Sequence, residues 1–240
     1  MPMLEGKTAI VTGGSRGIGL AVAEALLAEG ASVVISGTDQ ARLRDAQQHL
    51  EGAAPKRVAS IAADVRSTPE VAKLVGLAVD RFGGLDILIN NAAFGGLTNV
   101  VSMDEDTWQK VIDTNLTGVY RCCHAAIPHM KARGGGWIIN ISSLAGKNSF
   151  IGGAAYCASK AGLNAFAEVL MLELRHEGIR VSTVMPGSVR TGFSRGGDAP
   201  GTEWKLAPED VAEVVIDLLR HPGRSLPSAV EIRPSQPPRK

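Results

Sequence analysis

The chain has 240 residues, 45% hydrophobic and 20% charged, with a formal net charge of +1. That length buries one sizeable core, and a near-neutral chain without a basic run offers no footing for nucleic acid or an anionic membrane. No apolar stretch reaches transmembrane length, the N-terminus has no signal-peptide apolar region, and Cys122, Cys123 and Cys157 make no disulfide framework, so the expected compartment is reducing and cytoplasmic.

An apolar run, Thr8 to Val11, leads into Thr12-Gly13-Gly14-Ser15-Arg16-Gly17-Ile18-Gly19, and an amphipathic stretch follows from Leu20 to Ala28. The context is strand, tight turn, helix. Glycine has a physical task in such a turn: the chain bends sharply and lets bare backbone approach a pyrophosphate at the positive end of the helix. Gly19 in addition lets the helix pack on the sheet. The spacing is Gly-x-x-x-Gly-x-Gly, not the standard Gly-x-Gly-x-x-Gly. An ordinary glycine-rich surface turn is the competing reading; the strand before and helix after favour a nucleotide site.

Further along, expected strands are 7–12, 32–36, 58–63, 86–90, 136–141, 179–185 and 228–233; expected helices are 17–29, 40–51, 69–82, 105–131, 155–177 and 208–220. Strand and helix in alternation predict an α/β fold: one Rossmann-type, doubly wound, mainly parallel seven-stranded sheet with helices on both faces. Residues 1–233 are expected as a single domain, with a short substrate lid at about 192–207 and an extended or disordered tail, 234–240. Ligands of such sheets bind at the carboxyl ends of the strands.

The second strand ends at Ser36, and Gly37 takes the place where an acidic residue would hold the ribose of NAD. Asp39 is read as the cap of the next helix. Arg16 and Thr38, with Arg42, then face a 2′-phosphate. Asp64 and Val65 end the third strand; Asp64 is a turn residue or an acceptor for an adenine amino group. Asn90, Asn91 and Ala92 end the fourth, where Asn bonds readily to backbone. Asn115 lies inside a helical stretch it does not favour, so a local helix irregularity is expected there. Ser142 and Ser143 end the fifth strand. No metal-ligand cluster is read.

Tyr156 and Lys160, four residues apart, share one helical face. Taken alone they could be surface neighbours. Their chemistry is useful, because a free Tyr has a pKa near 10, too high to trade protons at neutral pH. A Lys charge ~5 Å away at an effective dielectric of ~20 is worth ~3 kcal/mol and would lower that pKa by ~2 units. The phenol could then pass a proton to a carbonyl oxygen while Ser143 polarises it.

Taken together, Thr12-Gly-x-x-x-Gly-x-Gly19, Asp64, Asn90-Asn91-Ala92, Asn115, Ser143, Tyr156-x-x-x-Lys160 and Pro186-Gly187-x-Val189-x-Thr191 resemble the short-chain dehydrogenase/reductase family, in its order and at its spacings. The front half resembles bacterial 3-oxoacyl-carrier-protein reductases and related carbonyl reductases. The resemblance implies catalytic roles for Asn115, Ser143, Tyr156 and Lys160, with Asn115 in a water-linked proton relay. It implies cofactor contacts from Gly13, Ser15, Arg16, Gly17, Ile18 and Gly19, and from Thr38, Asp64, Val65, Asn91 and Ala92. Tyr156, Lys160, Pro186, Gly187, Val189 and Thr191 complete that set, with Thr12 as a support and Asn90 as a ribose contact. The expected cofactor is NADP rather than NAD, and the expected substrate a small carbonyl or alcohol. An NAD-linked alcohol dehydrogenase and a non-catalytic nucleotide sensor are the alternatives. Ala93 stands where the family usually has glycine, and the lid is short with Phe193 and Trp204 as its anchors. A homodimer or homotetramer is expected through the two long helices, whose apolar surplus includes Leu163, Phe166, Leu170, Met171 and Leu174.

Overall fold

A computed structural model of the chain describes residues 2–191, 193 and 201–238. Its strands are β1 (Thr8–Thr12), β2 (Ser32–Gly37), β3 (Val58–Ala62), β4 (Ile87–Asn90), β5 (Gly136–Ile141), β6 (Ile179–Pro186) and β7 (Ala229–Ile232). They form one seven-stranded sheet in the order β3-β2-β1-β4-β5-β6-β7, with every neighbouring pair parallel. The helices are α1 (Gly17–Ala28), α2 (Gln40–Ala53), α3 (Thr68–Phe82), α4 (Glu105–Ile112), α5 (Gly118–Ala132), α6 (Ala154–Leu174) and α7 (Pro208–Arg220).

Successive strand residues point to opposite faces, and here both faces are apolar. Ala9, Val11, Val33, Ile35, Ile87 and Ile89 join α1, α2 and α7 in one core. Ile10, Val34, Leu88 and Ile138 join α3, α5 and α6 in the other. That is why the strands read as unbroken Val/Ile/Leu runs. The chain winds outward from β1 to β3 on one side and from β4 to β7 on the other. A crevice therefore opens at the carboxyl ends of β1 and β4, where the winding reverses.

Local chemistry sets the helix ends. Asp39 caps α2, its Oδ1 accepting from the N–H groups of Ala41 and Arg42 at 3.1 Å each. In α3, Pro at the start, Glu70 in the first turn, Arg81 in the last and left-handed Gly83 at the end all match the helix termini.

Two expected helices are modified. The 105–131 stretch is α4 and α5 joined by a wide π turn, Asp113–Thr117, with Asn115 buried within it. The irregularity expected at Asn115 is this turn. The 155–177 stretch is α6 followed by a 3₁₀ turn, Arg175–Glu177. The apolar surplus on the long helices is a correction. Leu163, Leu170 and Leu174 are buried in the second core, and Phe166 and Met171 pack against it. The large apolar residues these stretches expose are Trp108, Tyr120, Val169 and Leu172. Of the expected lid, Gly192 and residues 194–200 lie outside the described residues. Among the described residues no helix is long and apolar enough to cross a membrane.

Candidate active site

The carboxyl ends of β1 to β6 converge on a cleft of about 660 Å³. Behind β1 the chain turns through Gly13 at φ +65° and Gly17 at φ +53°, conformations that disfavour a side chain. A Cβ on Gly13 would stand 3.0 Å from Ala92 Cα, and one on Gly17 3.1 Å from Thr191 Cγ2. The backbone is thus bare towards the cleft. No side chain caps α1, whose first N–H groups follow directly from this turn. A cradle that any Cβ would fill, opening on an uncapped helix N-terminus, fits the pyrophosphate of a dinucleotide.

Thr12 and Asn91 hold the cradle. The Thr12 hydroxyl donates to Ile89 O at 3.3 Å and accepts from the Asn91 and Ala92 N–H groups at 3.0 Å each. Asn91 Nδ2 donates to Thr12 O at 3.0 Å and to Gly13 O at 3.1 Å. Asn91 borders the cleft, but its amide hydrogens are committed to the turn. Gly19 does not border the cleft. A Cβ there would stand 2.3 Å from Gly13 O, so its task is packing beneath the turn rather than contact with a cofactor.

Ser15, Arg16, Ile18, Thr38, Asp64, Val65 and Ala92 line the cleft. Gly37 borders it too, and no carboxylate occupies its place. Asp39 is bound to its helix cap and to Arg42 Nε at 3.2 Å. Asp64 is paired with Arg66, whose guanidinium donates to both carboxylate oxygens, at 2.6 Å to Oδ2; this holds the Asp64 carboxyl below the usual range. Asn90 departs from expectation. It is buried, donates to Asn140 Oδ1 at 2.9 Å and to Cys123 Sγ at 3.4 Å, and does not reach the cleft.

At the other end of the cleft, β5 delivers Ser143 and α6 presents Tyr156 and Lys160. Ser143 and Tyr156 both line this end of the cleft. Ser143 Oγ accepts from Ala145 N–H at 3.1 Å, which fixes its rotamer. Lys160 is buried and its Nζ donates to Ile141 O at 2.8 Å. The expected lowering of the Tyr156 pKa is corrected. Burial pushes the phenol above its ordinary value, opposed by the Ser143 side chain, and burial lowers Lys160 to about 8. Desolvation penalises the charged form of each.

Asn115 lies behind this pair, fully buried and off the cleft. Its Nδ2 donates to Phe94 O and to Ser159 Oγ, both at 3.0 Å, and its Oδ1 accepts from Phe94 N–H at 2.8 Å. The side chain clamps the Phe94 loop to α6, and both hydrogens of its amide are used in these bonds. From β6, Pro186, Gly187, Val189 and Thr191 line the cleft. Val189 forms a parallel bridge with Leu206, closed by Arg190 N–H to Leu206 O at 2.8 Å and Leu206 N–H to Ser188 O at 3.0 Å. Phe193 lies beside Tyr156, ring centroids 5.9 Å apart. Trp204 borders a second recess with Asp210 and Pro234, which shares Lys205 with the main cleft.

Sequence reasoning missed Arg66, Phe94, Lys110, Phe150 and Lys205 as cleft residues. Phe94 had a signal, since it continues the Asn90–Ala93 strand end. Lys110 and Phe150 are brought in by helix and loop packing, which leaves no local pattern. Among the described residues no group of His, Cys, Asp and Glu could hold a metal ion.

The family described as short chain dehydrogenase matches residues 7–199. An uncharacterized oxidoreductase of Staphylococcus saprophyticus is 35% identical over 235 residues, covering 98% of this chain and all of that protein. One from Staphylococcus aureus strain MW2 is 34% identical over 234 residues, with coverage of 98% and 100%. Among solved structures, a metagenomic short-chain oxidoreductase in complex with NADP superposes with a TM-score of 0.86 at 36% identity, covering 98% of this chain and 100% of that one. A variant of the actinorhodin polyketide ketoreductase with NADPH gives a TM-score of 0.88 at 32% identity, covering 95% and 96%. With its sheet order, its glycine cradle and this breadth of match, the chain belongs to the short-chain dehydrogenase family and is an NAD(P)-dependent oxidoreductase.

Proposed function

We propose that the protein interconverts a ketone or aldehyde and its alcohol with NADP(H), using Tyr156 as proton donor and acceptor. The observation that carries this is Ser143 and Tyr156 lining the same cleft as the glycine cradle, with the buried Lys160 Nζ 5.8 Å from the centre of the Tyr156 ring. When bound, the nicotinamide supplies or receives the hydride. Tyr156, held protonated by its burial, stands ready to protonate an oxygen that is gaining negative charge. Ser143 offers its hydroxyl to the same oxygen. Lys160 supplies a nearby positive charge that offsets the phenolate left behind, an effect enlarged by the low dielectric of its buried site. The Asn115 side chain positions rather than reacts, by fixing the Phe94 loop.

The preference for NADP over NAD is supported by Gly37 at the end of β2, by Asp39 being consumed as a cap, and by exposed Arg16 beside the cradle. Two solved relatives hold NADP and NADPH. Gly13, Ser15, Gly17 and Ile18 would hold the pyrophosphate, Asp64 and Val65 the adenine, and Lys160 with Pro186 to Thr191 the nicotinamide end. We also propose a homodimer or homotetramer through α5 and α6, supported by exposed Tyr120, Val169 and Leu172.

The direct test is oxidation of NADPH against a panel of ketones, aldehydes and 3-oxoacyl thioesters, repeated with NADH. Turnover of at least one carbonyl class, faster with NADPH, is expected. Binding of the dinucleotide without turnover of any member would favour the nucleotide-sensor reading. A light-scattering mass at the 25.1 kDa of one chain at micromolar concentration would refute the oligomer.

A further inference from the structure

We propose that the substrate is a ketone carrying an aromatic ring next to its carbonyl. This rests on the reading above, in which Ser143 and Tyr156 grip the carbonyl oxygen. The chain is poor in aromatic residues, at 4%, with five phenylalanines. Three of them, Phe94, Phe150 and Phe193, line the cleft that contains Tyr156.

Each ring is held by its own device. The backbone of Phe94 is clamped on both its N–H and its C=O by Asn115, and Lys110 Nζ stands 4.4 Å above the ring. The Phe150 ring lies over Gly153, where a Cβ would come within 2.7 Å of it. The Phe193 ring is tilted 50° against Tyr156 and approaches the place of a Cβ on Gly95 at 3.4 Å. Bare backbone at Gly95 and Gly153 therefore makes room for rings to lie close.

Two of these residues are exposed. Phe150 is 47% exposed, Phe193 41%, and neighbouring Leu97 51%. Apolar surface left uncovered beside a reactive pair is surface for the substrate to cover. What covers it must place a carbonyl at Ser143 and Tyr156 and, within a few ångströms, something flat and apolar against the rings. Tilted and offset arrangements of aromatic pairs satisfy both demands. The carboxylates of the cleft, Asp39 and Asp64, are already paired with Arg42 and Arg66. Among the described residues no unpaired acid lines the cleft to call for a cationic substrate. Lys110 and Lys205, which could attract an anion, face the Phe94 and Trp204 rings.

The test compares kcat/KM for 1-phenylethanone, 2-butanone and acetoacetate with NADPH as cofactor, on the full chain. The aryl ketone is expected to exceed both others by about tenfold or more, the worth of one good aromatic contact. In Phe150→Leu, KM for 1-phenylethanone should rise about fivefold with kcat within about twofold. NADPH affinity, read by nucleotide fluorescence, reports that this variant is folded. A direct binding readout uses Tyr156→Phe loaded with NADPH, titrated with the three ketones and scored by dissociation constant rather than turnover. Equal or better turnover of 2-butanone or acetoacetate overturns the aromatic assignment and leaves the carbonyl reading standing. An unchanged KM in folded Phe150→Leu overturns it too. Failure to reduce any carbonyl with either nucleotide overturns the carbonyl reading, and the inference with it.

Discussion

At one end of the cleft Gly13 and Gly17 leave the backbone bare, with buried Gly19 beneath, and Thr12 and Asn91 tie the turn down with five hydrogen bonds. At the other end Phe94, Phe150 and Phe193 stand on loops, the last two exposed. Diphosphate is the same in every dinucleotide, and backbone amides serve it without any particular side chain. The group beyond the carbonyl differs from one substrate to the next, and loop side chains can be exchanged without disturbing the sheet. Between the two ends sit Ser143, Tyr156 and Lys160, fixed by β5 and α6 and so independent of either.

That independence is open to challenge. Tyr156→Phe should cut kcat by about two to four orders of magnitude while leaving NADPH affinity within about twofold, because it removes the proton and little else. Near-native kcat would mean that the middle of the cleft has no chemistry of its own. Gly19→Ala attacks the backbone end, since its Cβ would stand 2.3 Å from Gly13 O and 2.5 Å from Asn91 Nδ2. A loss of about 3 kcal/mol in urea unfolding is expected, together with loss of NADPH binding. Retained binding would show that the cradle tolerates a side chain after all.

Lys160 tests the centre through pH. Burial lowers its pKa to about 8 in the folded chain, below the value of ~10.4 for a free lysine. Between those values the unfolded chain holds one more proton, so stability rises with pH across that window. Below pH 8 both states are protonated and the full cost of burying the charge remains. The cofactor-free protein should gain about 2 kcal/mol from pH 7.5 to 10 relative to Lys160→Met, which has no charge to lose. Parallel pH profiles for the two proteins would contradict the burial of Lys160. Gly37→Asp sharpens the nucleotide end. Its Cβ would meet Ser15 Oγ at 3.4 Å, an ordinary contact, so the new carboxylate should fit. A shift of about tenfold in kcat/KM towards NADH is expected from its repulsion of a 2′-phosphate. The smallest effect belongs to Val101→Ser, at a side chain 99% exposed. A change within about 0.5 kcal/mol is expected from thermal unfolding, and a larger loss would reveal that something covers this loop.

Much of the backbone end was legible from sequence, because a strand, three glycines and a helix are contiguous and their spacing is itself the geometry. The alternation of strands and helices likewise foretold the sheet. Asn115 announced the π turn by being a poor helix former in mid-helix. What spacing could not show was burial. Four residues place Tyr156 near Lys160, but only the packed structure reveals that desolvation shifts both groups towards their neutral forms. The reading of Leu163, Leu170 and Leu174 as surplus failed for a related reason: apolar content on a helix does not say which side its neighbours cover. The phenylalanine rim was the least visible. Its members come from the β4 loop, the loop before α6 and the segment after β6, and only the fold brings these together.

The wide turn at Asp113–Thr117 acts on the rod that contains it as a one-tooth offset acts between two gears. An α-helix advances about 100° per residue, and a π turn carries one residue more than that rhythm allows. α4 is thereby dialled round relative to α5, and this is the setting at which Lys110 reaches Phe94 and Asn115 reaches Ser159. Removing one residue from the turn would restore a perfect helix and swing α4 by about 100°. Every hydrogen bond of the rod could survive while both of those contacts were lost. The length of this segment, counted in single residues, is therefore as much a determinant of the site as any side chain in it.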